Sequence, residues 1–171
     1  MSQYARDCRI AMIYEGTNGI QALDLVGRKL SMDGGKYMRE YLNLVQAFIN
    51  EEHSEDLKND FITPLKKSIE HLQAALMFFM QNGLKNPLSA VSGATDFLHL
   101  VGLVSLGFIW SKKAQSAKEK LKDISANKDF LEAKILTGSY FMHRQLPETK
   151  LRLDRILTGE KQVMSLAADQ F

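Results

Sequence analysis

From Phe61 to Met80 the apolar residues Phe61, Ile62, Leu65, Ile69, Leu72, Leu76, Phe79 and Met80 recur every three or four positions. This spacing holds one stripe along a helix for about six turns. A shorter stripe runs through Tyr41, Leu42, Val45, Phe48 and Ile49. No segment alternates apolar and polar residues for long enough to make a strand, and only three prolines interrupt 171 residues. The pattern predicts an all-α fold, an up-and-down helical bundle in which the two longest helices pack antiparallel through a short connection.

The breaks between helices carry recognisable chemistry. "SMDGGK" (residues 31–36) separates an opening helix from the next, because paired glycines tolerate positive φ. "QNGLKNPLS" (81–89) offers Gly83 as a helix end and Pro87 as a first-turn residue. "ISANKDF" (124–130) offers Ser125 or Asn127 as an N-cap. "RQLPETK" starts a helix at Pro147, and Gly159 breaks the chain before a short terminal helix ending near Ala168.

The most hydrophobic run, "FLHLVGLVSLGFIW" (97–110), holds no full charge but is only 14 residues long. A bilayer needs about 20, so a buried central helix is expected and membrane docking is the weaker reading. Its His99 is expected as a hydrogen-bonded core residue, and "HSED" around His53 as an exposed helix end. With His71 and His143, these histidines have no metal-ligand spacing, so no metal site is expected. A net charge of +2, with Lys112, Lys113, Lys118, Lys120 and Lys122 interleaved with Glu119 and Asp123, reads as a solvated face rather than a nucleic-acid site. The lone Cys8 is expected as a small packing residue in a reducing, cytoplasmic setting.

One stretch fits none of these structural roles fully. In "IYEGTNGIQ" (13–21), Glu15 is followed by Gly16, Thr17, Asn18 and Gly19. A carboxylate beside glycines can be approached closely by a ligand, and free amides there can bind a carbonyl or phosphate. The same residues also describe a plain helix junction, with Gly16 ending one helix and Thr17 or Asn18 starting the next.

The longer stretch "DCRIAMIYEGTNGIQALDLVGRKL" (7–30) resembles the last conserved motif of the acyl-CoA dehydrogenases, whose usual form is D-x-(K/R)-I, an IYEGT core and then IQ. Asp7, Arg9, Ile10, Ile13, Tyr14, Glu15, Gly16, Thr17, Ile20 and Gln21 match in order. The wording is most similar to large bacterial-type members, the 3-methylmercaptopropionyl-CoA dehydrogenases among them, which carry an extra C-terminal helical domain.

The resemblance implies that Glu15 is the general base of a flavoenzyme that oxidises acyl-CoA to trans-2-enoyl-CoA. Gly16 would lie against the acyl-CoA substrate, and Thr17, Asn18 and Gly19 would line the FAD. Some members carry an arginine at the position of Gly27; here Arg28 follows one residue later. Residues 1–33 would then end the catalytic helical domain and contain its last helix, and residues 34–171 would form the C-terminal extension. A longer parent would use electron-transfer flavoprotein as a partner and assemble as a homo-oligomer, while these 171 residues alone would be inactive and FAD-free. Without upstream partners, the segment before Gly34 would be poorly anchored or would pack in a non-native way. The alternative is a non-catalytic assembly or membrane-docking module.

Overall fold

The structure, a computed structural model, describes residues 2–9, 17–83, 85–163 and 165–170. Among these there are helices and turns and no strand, in agreement with the all-α expectation. The helices are α1 (Ser2–Arg9), α2 (Asn18–Asp24), α3 (Lys36–Ile49), α4 (Glu55–Leu57), α5 (Thr63–Asn82), α6 (Pro87–Lys120), α7 (Lys128–Arg144) and α8 (Glu148–Thr158). The expected terminal helix is reduced to a single 3-10 turn, Ala168–Gln170.

α6 is the hub, packing against α2, α5, α7 and α8. The four-residue link from α5 to α6 reverses the chain, and the two longest helices therefore lie side by side. The core is the apolar stripe read from the sequence: Phe61, Leu65, Ile69 and Leu72 meet Phe97, Leu100 and Val104 of α6, with Met142, Leu146 and Ile156 closing the far side. Met80 departs from the stripe and is exposed. It is adjacent to Phe79, and a 100° step per residue lets only one of the two face inward there.

Two helices contain a wider turn. At Lys58–Ile62 the Thr63 amide bonds back to the Lys58 carbonyl, and at Leu25–Lys29 the Leu30 amide bonds to the Leu25 carbonyl at 2.8 Å. Each is a π turn, which carries one extra residue and shifts the inward face. At the first, both Phe61 and its neighbour Ile62 are buried. Phe61 packs edge-on to α7 where Gly138 has no side chain.

The caps follow local chemistry. Asn127 accepts from the Phe130 amide at 3.1 Å at the start of α7, and Pro87 occupies the first turn of α6. Glu160 reaches back from the end of the chain to bond Asn86 Nδ2 at 2.6 Å and the Ser89 hydroxyl, binding the C-terminal region to the start of α6. The Ser89 hydroxyl, then the backbone amide of Glu160 itself and then Asn86 hold the Glu160 carboxyl below its usual range. Gly159 makes the turn with φ +68°.

A half-buried ion pair fastens α8 to α6: Arg152 donates to Asp96 Oδ1 at 2.8 Å, and Arg155 lies 3.7 Å from the same oxygen. His71 of α5 contacts Thr149 of α8 at 3.0 Å. The Thr149 hydroxyl donates to the Leu146 carbonyl, so its oxygen accepts from His71 Nδ1–H. Burial, then the charge of Lys150, lowers the His71 pKa below 6.5, with Glu70 and Asp154 opposing. The unfolded chain therefore takes up this proton at a higher pH than the folded one. Stability is full above pH 6.5 and falls as pH drops through it, levelling off only below the depressed folded value. Urea midpoints at pH 7.5 and 5.5 are expected to separate more for the wild type than for His71→Gln; equal separations would refute the assignment.

Three sequence expectations are corrected by the packing. His99 is exposed, although it lies within the apolar run. His53 is buried instead, its Nε2 2.8 Å from the Phe48 carbonyl and its ring 5.1 Å from that of Phe48. Cys8 is exposed on α1 rather than packed inside.

Candidate functional site: the start of α2 and the cleft beside it

The motif lies where the chain enters the bundle. Glu15 and Gly16 fall outside the described residues, as do Ile13 and Tyr14; the described part begins at Thr17. Thr17 is half-buried and forms the first cap of α2, accepting from the Gln21 amide through its carbonyl at 2.9 Å. Its side chain makes no capping bond. Asn18 and Gly19 are exposed in the first turn, where amides have no partner within the helix. Among the described residues no atom lies within 4 Å of where a Cβ of Gly19 would be, so their packing does not require glycine there.

What holds that turn in place is the underside of α2. Ala22 is fully buried, and Leu25, Val26 and Leu30 pack against the main core. The small side chain of Ala22 lets α2 lie close on α6. Of the two alternatives for the segment before Gly34, poor anchoring does not describe residues 18–30, which are packed. The sequence carries a signal for this face: Ala22, Leu25, Val26 and Leu30 follow helical spacing.

The charged side of α2 is self-paired. Arg28 donates twice to Asp24, at 2.6 and 3.0 Å, and Lys29 lies 3.4 Å from the same carboxylate. The Arg28 hydrogen bond is the main reason that Asp24 is held below its usual pKa. Arg28 is thus engaged with its own helix rather than directed at the start of α2.

After the π turn the backbone reverses hand. Asp33, Gly34 and Gly35 have φ of 49°, 64° and 78°, three left-handed residues in succession. Arg39 bonds the Gly34 carbonyl at 2.5 Å and braces this turn. It delivers the chain into α3, and a cleft of about 200 Å³ opens between residues 25–30, α3 and α6. Leu25, Leu30, Met38 and Val101 make its walls apolar. Two of its polar groups satisfy each other: the Tyr41 hydroxyl lies 2.9 Å from that of Ser105, and burial pushes the Tyr41 pKa up. The cleft contains no acid–base pair and no anion-binding cluster. Among the described residues no group of three or more His, Cys, Asp or Glu side chains could hold a metal.

The structure thus brings Thr17, Asn18 and Gly19 together on one exposed helical turn. They can line one edge of a flat ring system, with amides and an open glycine surface, but they cannot enclose it. That is a partial fit to a flavin, whose remaining walls would have to come from elsewhere.

Residues 41–167 match the family described as "Acetyl-CoA dehydrogenase C-terminal like". The chain is 32% identical over 162 residues to the 3-methylmercaptopropionyl-CoA dehydrogenase of Ruegeria pomeroyi, covering 94% of this chain and 27% of that protein. It is 28% identical to a broad-specificity linear acyl-CoA dehydrogenase of Mycobacterium tuberculosis, covering 97% of this chain and 28% of the relative. A butyryl-CoA dehydrogenase of Syntrophomonas wolfei is 25% identical over 85% of this chain and 24% of its own length. The chain spans about a quarter of the length of the curated relatives it matches. With the family domain matched over most of this chain, from within α3 to beyond α8, this chain belongs to the acyl-CoA dehydrogenase family.

Proposed function

We propose that this chain supplies the catalytic-base segment and the C-terminal helical domain of a longer FAD-dependent acyl-CoA dehydrogenase, which oxidises an acyl-CoA thioester to trans-2-enoyl-CoA. The observation that carries the proposal is the order of its parts. The motif at 7–30 precedes the family domain at 41–167, and α2, which follows the motif's carboxylate, is seated firmly on that domain through Ala22. Residues 1–33 would complete the catalytic helical domain, and residues 34–171 would be the extension.

Glu15 acts as the general base, taking the proton from the carbon next to the thioester carbonyl. That proton is weakly acidic, so the carboxylate must be held against it out of water while donors stabilise the developing enolate oxygen. Bound FAD supplies the acceptor for the hydride that leaves the β-carbon. Gly16 leaves room for the acyl-CoA, and Thr17, Asn18 and Gly19 face the flavin edge from the first turn of α2. The buried side of α2 fixes this turn, so Thr17, Asn18 and Gly19 are carried by a rigid element. Alone, the 171 residues lack the other walls and are inactive; the longer protein passes its electrons to electron-transfer flavoprotein and works as a homo-oligomer.

The test is the longer protein with Glu15→Gln, mixed with acyl-CoA, and the flavin absorbance followed. Bleaching at the parental rate would overturn the role of Glu15.

A further inference from the structure

We infer that the outward face of α7, from Asp129 to Arg144, is a self-complementary surface that pairs antiparallel with the same face of a second copy of this chain. The inference deepens the homo-oligomer named above and rests on that reading. The side of α7 turned to the bundle carries Gly138 and Met142, which are buried, and Leu131, Ile135 and Phe141, which are partly buried. On the opposite side Asp129, Ala133, Leu136, Thr137, Tyr140 and Arg144 are all exposed. They recur at steps of three and four, so they share one row about 22 Å long. The middle of this row is uncharged, and Leu136 and Tyr140 stand out from it at 73% and 59% exposure. An apolar centre between charged ends is the anatomy of an interface rather than of a helix side that meets water.

Charge order and size order together identify the occupant. The row ends in a carboxylate at Asp129 and a guanidinium at Arg144, and among the described residues neither is held by an ion pair within the chain. A parallel neighbour would set each of these charges against its like; an antiparallel copy sets each against its opposite. Positions 129 and 144 are equally distant from the midpoint between Leu136 and Thr137, and so are positions 133 and 140. A two-fold axis through that midpoint therefore brings Asp129 to Arg144 and Tyr140 over Ala133, twice each. Ala133 is small where Tyr140 is large, so the two helices can approach closely, with Leu136 at the axis. Glu132 and Lys134 lie on opposite flanks of the row, and Lys134 Nζ sits 5.1 Å from the centre of the Phe130 ring on its own helix. Antiparallel helices also set opposite dipole ends together. One helix pair of this length falls short of the roughly 800 Å² per partner of a standard interface, so the association is expected to be weak and reversible.

The experiment is sedimentation equilibrium of the 171-residue chain over concentrations reaching the millimolar. The parent is expected to pass from monomer to dimer. Asp129→Arg and Arg144→Asp each place like charges together at both ends of the pair, and each alone is expected to weaken self-association by at least about tenfold. Mixed in equal amounts, the two variants are expected to associate about as tightly as the parent, because one chain is then basic at both ends of the row and the other acidic at both. A misfolded variant could not be rescued in this way. A mixture no tighter than either variant alone would overturn the inference, as would a parent that stays monomeric throughout. Association that Leu136→Asp abolishes but the charge reversals leave intact would overturn it in favour of another geometry. In a Cys8→Ser background, shielding of Leu136→Cys from a thiol reagent by anionic phospholipid vesicles, with the chain monomeric, would overturn it in favour of a membrane surface. A longer protein that is an oligomer, with its mass unchanged by either reversal, would defeat the α7 pairing and leave the homo-oligomer standing. A monomeric longer protein beside a successful mixing result would defeat the homo-oligomer alone.

Discussion

In the longer protein, Glu15→Gln is expected to slow flavin bleaching by acyl-CoA by about 10²–10⁴-fold, the range for loss of a positioned general base. Glutamine keeps the shape of the side chain and removes its capacity to accept the proton, so FAD content should match the parent. That pairing separates a lost base from a collapsed site. Glu15→Asp shortens the reach by one methylene and is expected to fall between the two, because the carboxylate survives but its distance to the α-carbon does not. Stopped-flow absorbance at saturating acyl-CoA, with FAD measured by extraction, reads both effects. A Glu15→Gln enzyme that bleaches normally would move the base elsewhere; one that has lost its flavin would make Glu15 a structural residue.

Gly138→Val is expected to destabilise the helical domain by about 2–3 kcal/mol, a loss of roughly 5–10 °C in Tm. A Cβ at this position would lie 2.9 Å from the Phe61 ring and 3.1 Å from Trp110. Phe61 is fully buried within the π turn, with Leu65 and Met142 among the core around it, so its ring has little room to withdraw. Gly138→Ala should show the same sign with a smaller loss, even though alanine favours a helix by about 1 kcal/mol over glycine. Scanning calorimetry of the three proteins decides. A rise in Tm for Gly138→Ala would mean that propensity outweighs the clash and that the Phe61 contact is soft. Phe61→Leu combined with Gly138→Ala should cost less than the sum of the two, since the smaller side chain vacates the disputed space.

Much of the bundle was legible because the stripe from Phe61 to Phe79 has a single period, and burial enforces that period for five turns. The exchanged roles of His53 and His99 show where this legibility stops. His99 sits in a helix that is apolar all round, and such a sequence carries no signal of which side meets water. His53 lies in the loop after α3, where burial depends on a carbonyl and a ring supplied by Phe48, a contact that no local pattern announces. The π turns at 25–29 and 58–62 are invisible for a related reason, because one extra residue leaves the spacing within the tolerance of an ordinary helix. At the site the limits are chemical. The residues Glu15 to Gly19 serve a helix junction and a catalytic base equally well, and only their resemblance to a family motif separated the two. The seating of α2 by Ala22 came from packing.

The junction at Asp33, Gly34 and Gly35 has a handedness of its own. Three residues with φ between 49° and 78° make nearly one turn of a helix of the opposite hand, the shape that mirror-image amino acids adopt at ease. In a chain assembled by chemical ligation, D-alanine at Gly34 is therefore expected to raise thermal stability by restricting the unfolded chain, and L-alanine to lower it. The linker thus specifies its direction through backbone chirality, with side chains playing little part.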